Sequence, residues 1–387
     1  LRKRSFTRST NRMWHETKVM RDNLLRVVAH DAFPVDADGS RAPLPHDFVM
    51  GVGGASNTLL TLTPTRRVGR ALDLGCGSGV QTLFLNADRI VATDIDERAL
   101  AAAQHSFHLS GFRRVDGQTW REGDRLITLL QGSLFEPVAG QRFDLIVSNP
   151  PFVIAGAGHV HRDSPFDGDD LSRELLRQLP SHLNPNGIAI VLTTWLQLRG
   201  ESWEERVESW LPADIGAWIA QREFLNVDEY VQVWGDDAGM AEADRAAWRQ
   251  RLLDTGAEGI GFGWIVVQRS NTAWRRIEDV SAAPRIPNGG EVLAQLAAAA
   301  ADFTAAELLF TTWEFASEHW RGDLELDPLG AALLAELRAG RTLADAVETV
   351  ADRLPVDEDD LRILGLTLAL ELARLGYLRP EAAPRGI

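Results

Sequence analysis

A glycine-rich turn between Leu74 and Val80 is the first segment of this sequence whose residue types could do chemistry. The turn follows an apolar, β-rich run and precedes a helical pattern, and its glycines stand at every second position, at Gly75, Gly77 and Gly79. Glycines adopt backbone angles closed to other residues and let a backbone approach a ligand closely. The N–H groups of the turn and of the following helix N-terminus would then face that ligand.

Two common nucleotide sites do not fit this turn. A dinucleotide site requires a third glycine three positions after the second, where this chain has Val80, and a P-loop requires a Gly-Lys-Ser/Thr sequence, which the turn lacks. The spacing Asp-x-Gly-x-Gly-x-Gly, which starts at Asp73, instead resembles motif I of the S-adenosylmethionine-dependent methyltransferases with a Rossmann-like fold. The alternative is a tight strand–helix turn without a ligand.

Two further strand ends carry polar residues toward the same edge of the predicted sheet. One strand ends at Asp94, whose carboxylate is placed to accept hydrogen bonds from ribose hydroxyls. Asp96 is the expected N-cap of the helix that follows. Another strand leads into Ser133 and Leu134. By resemblance this loop borders the adenine, and many methyltransferases carry an Asp where this chain has Ser133.

The second chemical segment is Asn149-Pro150-Pro151-Phe152, directly after a core strand. The prolines offer no N–H donors, so the turn presents acceptors, the Asn149 side-chain oxygen and the Pro150 carbonyl. Both can accept from one planar NH₂ group, and Phe152 supplies a flat face for it. Two hydrogen bonds of this kind favour a more pyramidal nitrogen, whose lone pair points at a sulfonium methyl. Placement at roughly 3–3.5 Å would contribute most of the catalysis.

Together these motifs resemble the (N/D)PP(Y/F) group of methyltransferases, over about residues 50 to 200. That group includes the glutamine methyltransferases of peptide-chain release factors and the amino-methyltransferases of adenine and of ribosomal RNA guanine. The resemblance implies S-adenosyl-L-methionine as the cofactor, with Gly51–Ser56 over its methionine end. The implied cofactor-binding residues are Asp73, Gly75, Gly77, Gly79, Asp94, Ser133, Leu134 and Asn149. The implied catalytic residues are Asn149, Pro150, Pro151 and Phe152.

The elements that must position these residues alternate between short apolar runs and helical stretches, which predicts an α/β fold with a parallel sheet covered on both faces. We therefore expect a Rossmann-like sheet of seven strands, with a helical insertion at Val227–Thr255 between the last two. The predicted strands are Arg70–Leu74, Arg89–Thr93, Leu126–Leu130, Phe143–Ser148, Gly187–Thr193, Ile215–Ala220 and Gly263–Gln268.

Three domains are expected. Residues 1–50 form an irregular N-terminal extension, basic at its start and possessing one short strand at Arg26–His30. Residues 51–270 form the methyltransferase domain, and residues 271–387 form a helical domain that resembles a winged-helix module. The chain starts with Leu1 rather than Met, so its true start is an open question.

Composition restricts the partners. Apolar residues make up 45% and charged residues 25%, ordinary values for a globular protein, and no apolar stretch is long enough to span a membrane. The single cysteine, Cys76, fits a reducing compartment, and we expect a cytoplasmic protein. The net charge of −15 disfavours bulk binding of nucleic acid, whereas the basic segment before Arg26 favours it.

The loop after Phe152 is the basis for choosing an acceptor. Its acids outnumber its single Arg162 and are expected to repel a phosphate backbone; they are Asp163, Asp167, Asp169 and Asp170. We therefore favour a protein glutamine, in a substrate with basic residues nearby such as a translation factor. Ribosomal RNA, a small molecule, or a partner-binding role without catalysis are the alternatives.

The same loop contains a pattern that could bind a metal, His159-x-His161-x-Asp163. Further ligands typical of a hydrolytic zinc site are not evident in the sequence. We therefore predict no metal site.

Overall fold

The structure, a computed structural model, describes residues 14–35, 44–45, 47–151, 153–154, 168–300, 305–310, 313–315, 319–321, 324, 326–354 and 356–380. Phe152 and most of the loop that follows it, including His159, His161, Asp163 and Asp167, lie outside these residues.

The described part opens with an antiparallel hairpin of β1 (His15–Arg21) and β2 (Leu24–His30). Its two-residue turn, Asp22-Asn23, has φ values of 48° and 65°, which aspartate and asparagine tolerate better than most residues. The sequence predicts only the second strand. The first is hard to detect because it exposes most of its side chains, so its apolar alternation is weak.

Two of the basic residues in the predicted N-terminal arm make internal contacts. Arg26 is 3% exposed and donates two hydrogen bonds to Glu122, at 2.5 and 2.6 Å. Arg21 donates to the carbonyl oxygen of Thr63. Arg26 and Arg21 therefore fasten the hairpin to the rest of the protein.

The described residues form a mixed ten-stranded sheet in the order β12-β10-β11-β9-β8-β3-β4-β7-β6-β5. Its strands are β3 (Val68–Leu74), β4 (Ala87–Asp94), β5 (Arg113–Arg114), β6 (Thr119–Glu122), β7 (Arg125–Gln131), β8 (Phe143–Ser148), β9 (Leu183–Leu198), β10 (Gly216–Asn226), β11 (Ala257–Gln268) and β12 (Trp274–Asp279). The α/β fold class and all seven predicted strands are confirmed.

The sheet differs from the prediction in the strands at both edges and in the direction of one strand, β11. The neighbouring strands β7, β4, β3, β8 and β9 run parallel to one another, whereas β11 is antiparallel to both its neighbours, β10 and β9. The short strands β5 and β6 were not predicted, nor was β12, which pairs with β10 beyond residue 270. Edge strands of this kind carry little continuous apolar sequence. In addition, the pairing partner of β12 is distant in the chain.

The helices cover both faces of the sheet. They are α1 (Gly54–Leu62), α2 (Val80–Phe84), α3 (Glu97–Leu109), α4 (Asp170–Gln178), α5 (Trp203–Glu208), α6 (Val227–Asp237), α7 (Glu242–Asp254) and α8 (Gly289–Ala300). On one face, α1, α2, α3 and α8 pack over Ala71, Ile90 and Ile190 of the sheet. The opposite face buries Leu72 and Ile146 under α4 and α5.

The C-terminal region has an apolar core of its own. It is formed by α9 (Ala305–Phe310), β13 (Trp313–Phe315), α10 (Pro328–Arg338), α11 (Leu343–Ala351), α12 (Glu358–Arg374) and β14 (Leu378–Pro380). The strands β13 and β14 pair antiparallel. An ion pair of 2.7 Å between Arg321 and Glu278 ties this region to the sheet.

Candidate active site

The glycine turn after β3 is held by hydrogen bonds to the end of β4. The backbone N–H groups of Gly75 and Cys76 donate to the carbonyl oxygen of Thr93, at 2.9 and 2.8 Å. The N–H of Gly77 donates to the Asp94 carboxylate at 2.8 Å. Gly75 and Gly77 have φ of 72° and 53°, and a Cβ atom at either position would meet nothing within 4 Å. The backbone is therefore open at these two glycines, which leaves space for a ligand to approach it.

Gly79, the third glycine, has a different role. Its φ is 83°, and a Cβ atom there would lie 2.9 Å from the ring of Phe107 and 3.3 Å from the Cβ of Ala103. Both neighbours belong to α3, so Gly79 permits α2 to start in close contact with that helix. We infer that its smallness serves packing.

Asp94 joins the two strand ends. One carboxylate oxygen accepts from Gly77, and the other accepts from the backbone N–H of Asp96 at 3.0 Å. The group is half-buried, and burial raises its pKa while the backbone donors oppose that rise. Each oxygen has a second lone pair, so the carboxylate can still accept from hydroxyl groups. Asp96 accepts from the backbone N–H of Arg98 at 2.8 Å, which confirms it as the N-cap of α3.

Asp73 braces the turn from the inside. It is 1% exposed and accepts hydrogen bonds from both the backbone N–H and the hydroxyl of Thr82. Burial raises the pKa of Asp73 to about 7, although the bonds from Thr82 lower it and Asp94 adds a small repulsion. Thr82 was not singled out in the sequence, and its position nine residues after Asp73 offers no recognisable signal.

The loop of Ser133 and Leu134 is placed beside Asp94. The backbone N–H of Gly132 donates to the carbonyl oxygen of Asp94 at 3.0 Å, and that of Glu136 donates to Ser133 at 3.0 Å. Leu134 has a φ of 45°, an uncommon conformation for a residue with a side chain. The structure thus brings this loop, the glycine turn and Asp94 together.

The predicted loop at Gly51–Ser56 also reaches this edge. Its last three residues already form the start of α1. The side-chain amide of Gln81, in the first turn of α2, donates to the carbonyl oxygen of Ser56 at 2.9 Å. Asp31, which is 2% exposed, accepts from the backbone N–H of Val49 at 2.9 Å and from the Arg98 guanidinium. The hairpin is therefore linked through Asp31 to the segment that precedes this loop.

Asn149 carries the most informative polar atom of the site. The preceding residue, Ser148, donates from its hydroxyl to the carbonyl oxygen of Leu74 at 2.8 Å, which fixes the end of β8 to the glycine-turn strand. The side-chain oxygen of Asn149 is buried, yet no described residue donates a hydrogen bond to it. An unsatisfied buried acceptor costs roughly 1–3 kcal/mol. Such an atom is expected where a ligand supplies the missing donor.

The prolines of the motif differ in exposure: Pro150 is buried and Pro151 is exposed. Two residues beyond Phe152, the backbone of Ile154 is held on both sides by the α6–α7 insertion. Its N–H donates to the Tyr230 hydroxyl at 2.7 Å, and its carbonyl oxygen accepts from the indole of Trp248 at 3.1 Å. These anchors were not identified from the sequence, because they lie 76 and 94 residues away from Ile154.

The predicted acidic entrance is only partly present among the described residues. Asp169 is 4% exposed and accepts from the backbone of Leu196 at 2.9 Å and from Arg206 at 2.7 Å. Asp170 forms an ion pair of 2.7 Å with Arg173. The expectation that these two acids repel an incoming phosphate is therefore wrong, because each is neutralised by an arginine. Tertiary packing brings in Arg206, 37 residues away from its partner.

The remaining predictions concern a metal site, a membrane-spanning segment and the single cysteine. Within the described ranges, no group of three or more metal-binding side chains is assembled, and no helix is long and apolar enough to cross a membrane. Cys76 is buried in the turn, and burial raises the pKa of its thiol.

Comparison with known proteins gives a family for this part of the chain. The family model of the methyltransferase small domain matches residues 50–199. A release factor glutamine methyltransferase from Geobacter sulfurreducens is 32% identical over 136 residues, 31% of this chain and 43% of the relative. A ribosomal protein uL3 glutamine methyltransferase from Bradyrhizobium diazoefficiens is 34% identical over 136 residues, 31% of this chain and 39% of the relative.

A third relative acts on a different kind of substrate according to its name. The ribosomal RNA small subunit methyltransferase C of Chromohalobacter salexigens is 32% identical over 125 residues, 32% of this chain and 31% of the relative. The chain thus covers less than half the length of each of these relatives. The matched region contains the glycine turn, Asp94 and the Asn149 turn. Residues 50–199 therefore match the methyltransferase small domain family.

Proposed function

We propose that this protein is an S-adenosylmethionine-dependent N-methyltransferase that acts on a planar amide or amino nitrogen. The observation that carries this proposal is the buried Asn149 oxygen, which has no donor among the described residues and lies directly after β8. The open backbone at Gly75 and Gly77, together with the Asp94 carboxylate, suits the cofactor. The names of the relatives, all methyltransferases, support the same activity.

Each residue of the candidate active site would have a separate role. Asp94 would bind the ribose hydroxyls, and the loop at Ser133 and Leu134 would border the adenine. When bound, the cofactor supplies an electrophilic methyl group. The Asn149 oxygen and the Pro150 carbonyl would each accept one hydrogen of the acceptor NH₂ group, which directs the nitrogen lone pair toward that methyl. Transfer would break the S–CH₃ bond of the sulfonium, which would leave as the neutral thioether S-adenosylhomocysteine. The acceptor nitrogen would then be cationic and would lose a proton to water, so no general base is required before attack.

Within this proposal, a protein glutamine is the favoured acceptor. Val153 and Ile154, which follow the turn, pack into an apolar cluster with Tyr230 and Trp248, so an acceptor approaches beside the α6–α7 insertion. Residues 227–254 contain seven acidic and three basic residues. A protein segment with basic residues near its glutamine suits that charge better than a phosphate backbone does. An acceptor in the translation machinery would place the reaction in the cytoplasm.

The test is to incubate the protein with methyl-labelled S-adenosylmethionine and a cell lysate, and to treat the product separately with protease and with ribonuclease. Label released by protease and recovered as methylglutamine supports the proposal. Label released only by ribonuclease replaces the glutamine with an RNA base, and label in the small-molecule fraction replaces it with a metabolite. An Asn149→Ala control that labels as strongly as the wild type contradicts the mechanism itself.

A further inference from the structure

Three exposed arginines line up across the sheet, near the ends of the strands opposite to Asn149. Arg113 of β5 lies directly opposite Arg121 of β6, and Arg121 lies opposite Leu126 of β7. Leu126 in turn pairs with Arg89 of β4. Directly paired residues point to the same face of a sheet, so the arginines share one face. We call Arg89, Arg113 and Arg121 the arginine row; at about 4.8 Å per strand it extends over roughly 14 Å.

Among the described residues, no ion pair neutralises the row. Within the part of the chain that the structure describes, none of its three guanidinium groups contacts a carboxylate. The acids on the same strands alternate to the other face: Asp88 precedes Arg89, and Glu122 follows Arg121 and pairs with Arg26. The net charge of the chain is −15, so the local charge of the arginine row is opposite in sign to that of the chain as a whole.

The pairing of Arg113 with Arg121 is unfavourable in the protein alone. Like charges directly opposite each other on neighbouring strands destabilise a sheet. Selection for stability would place an acid at one of these positions, as it has at Glu122 beside Arg26. An arrangement that costs stability is expected where an anionic partner neutralises it.

This part of the sheet is also open. On this face the apolar cluster under α4 and α5 includes Leu130 of β7 but no residue of β5 or β6. Val115, two positions after Arg113, is 54% exposed. An exposed surface with positive charges in a line suits an extended polyanion with a charge at every unit. Guanidinium groups also bind phosphates in a bidentate manner.

We infer that the arginine row is a docking surface for the phosphodiester backbone of an RNA strand. It is separate from the candidate active site, because Arg89 precedes Asp94 by five residues on β4, about 16 Å along the strand. The inference goes beyond the proposed function and does not depend on which nitrogen is methylated. A protein acceptor presented on an RNA-containing assembly would be approached through this surface.

The experiment measures fluorescence anisotropy of a labelled oligouridylate of about 20 nucleotides, over salt concentrations of about 50 to 200 mM. The variant Arg89→Gln/Arg113→Gln/Arg121→Gln should bind at least about tenfold more weakly. Its slope of log affinity against log salt should be smaller by about 2, since each phosphate contact on a single strand contributes about 0.7.

The matched control is Arg173→Gln/Arg249→Gln/Arg362→Gln, which changes the net charge equally. Each of these arginines is exposed but paired with an acid, Asp170, Asp228 and Glu358 respectively. The control should bind RNA within about twofold of the wild type. Thermal unfolding should show that the row variant remains folded, since it removes a repulsive pair.

Three results would overturn the inference: no RNA binding by the wild type at the lowest salt, equal losses in both triple variants, or displacement of the RNA by polyglutamate as readily as by unlabelled RNA. The last result would assign the row to an acidic protein. S-adenosylmethionine affinity of the row variant should equal that of the wild type. A failure of the proposed function would instead appear as a wild type that neither binds the cofactor nor transfers methyl groups, whatever its RNA binding.

Discussion

Replacing Asn149 with alanine should separate activity from stability. In the protein without substrate, the buried Asn149 oxygen has no donor among the described residues, an arrangement that costs roughly 1–3 kcal/mol. Asn149→Ala removes that cost along with the contacts of a half-buried amide. We therefore expect the free energy of unfolding to stay within about 0.5 kcal/mol of the wild type or to rise.

The same change should strongly reduce turnover. Asn149 would supply one of two preorganised acceptors for the NH₂ group, and loss of one such polar contact costs about 2.7–4 kcal/mol, a 10²–10³-fold decrease in kcat. Single-turnover transfer of labelled methyl to the acceptor identified in the lysate measures this decrease. Calorimetry should show S-adenosylmethionine affinity within about threefold of the wild type.

Two matched variants sharpen the comparison. Asn184→Ala makes the same chemical change near the start of β9, where the side-chain amide donates to Asp144 at 2.7 Å. This variant should lose about 1 kcal/mol of stability and retain its turnover. Asn149→Asp retains acceptor oxygens, so it should recover much of the turnover that alanine loses. The reasoning is refuted if Asn149→Ala turns over at the wild-type rate, or if it unfolds as readily as Asn184→Ala.

Three further predictions follow from the same site. Asp94→Ala removes the acceptor of the Gly77 N–H as well as the predicted ribose contact, so S-adenosylmethionine should bind about 10–100-fold more weakly; unchanged affinity by calorimetry would reject the ribose role. The pKa of Asp73 is raised by burial to about 7, so the folded state binds the proton more tightly. The stabilisation that the protonated Asp73 contributes is fully present below about pH 4 and is lost as the pH rises through about 7. The free energy of unfolding should therefore decline over this range, by at most about 1.4 kcal/mol per pH unit. Urea unfolding of Asp73→Asn should show no such decline. Tyr230→Phe keeps the buried ring but leaves the Ile154 N–H without its acceptor, so kcat should fall about tenfold at unchanged cofactor affinity; full turnover in this variant would show that the insertion does not position the turn.

The sequence by itself determined the local chemistry and most of the central sheet. Alternation of apolar runs with helical stretches is a local property, and it located all seven predicted strands. The glycines could be recognised because positive φ is a requirement of a single residue, and Gly75, Gly77 and Gly79 all adopt it. Asp96 could be assigned as an N-cap for a similar reason, since capping acts within one helical turn.

The tertiary structure decided how the site is held and which charges remain available. The contacts of Ile154 with the α6–α7 insertion and the neutralisation of Asp169 by Arg206 join residues far apart in the chain. The same packing buries the Asn149 oxygen without a donor among the described residues. No local pattern encodes such contacts, because they depend on the order and register of strands. The alignment of Arg113 with Arg121 has the same origin: two exposed arginines become one charged surface only when neighbouring strands place them opposite each other.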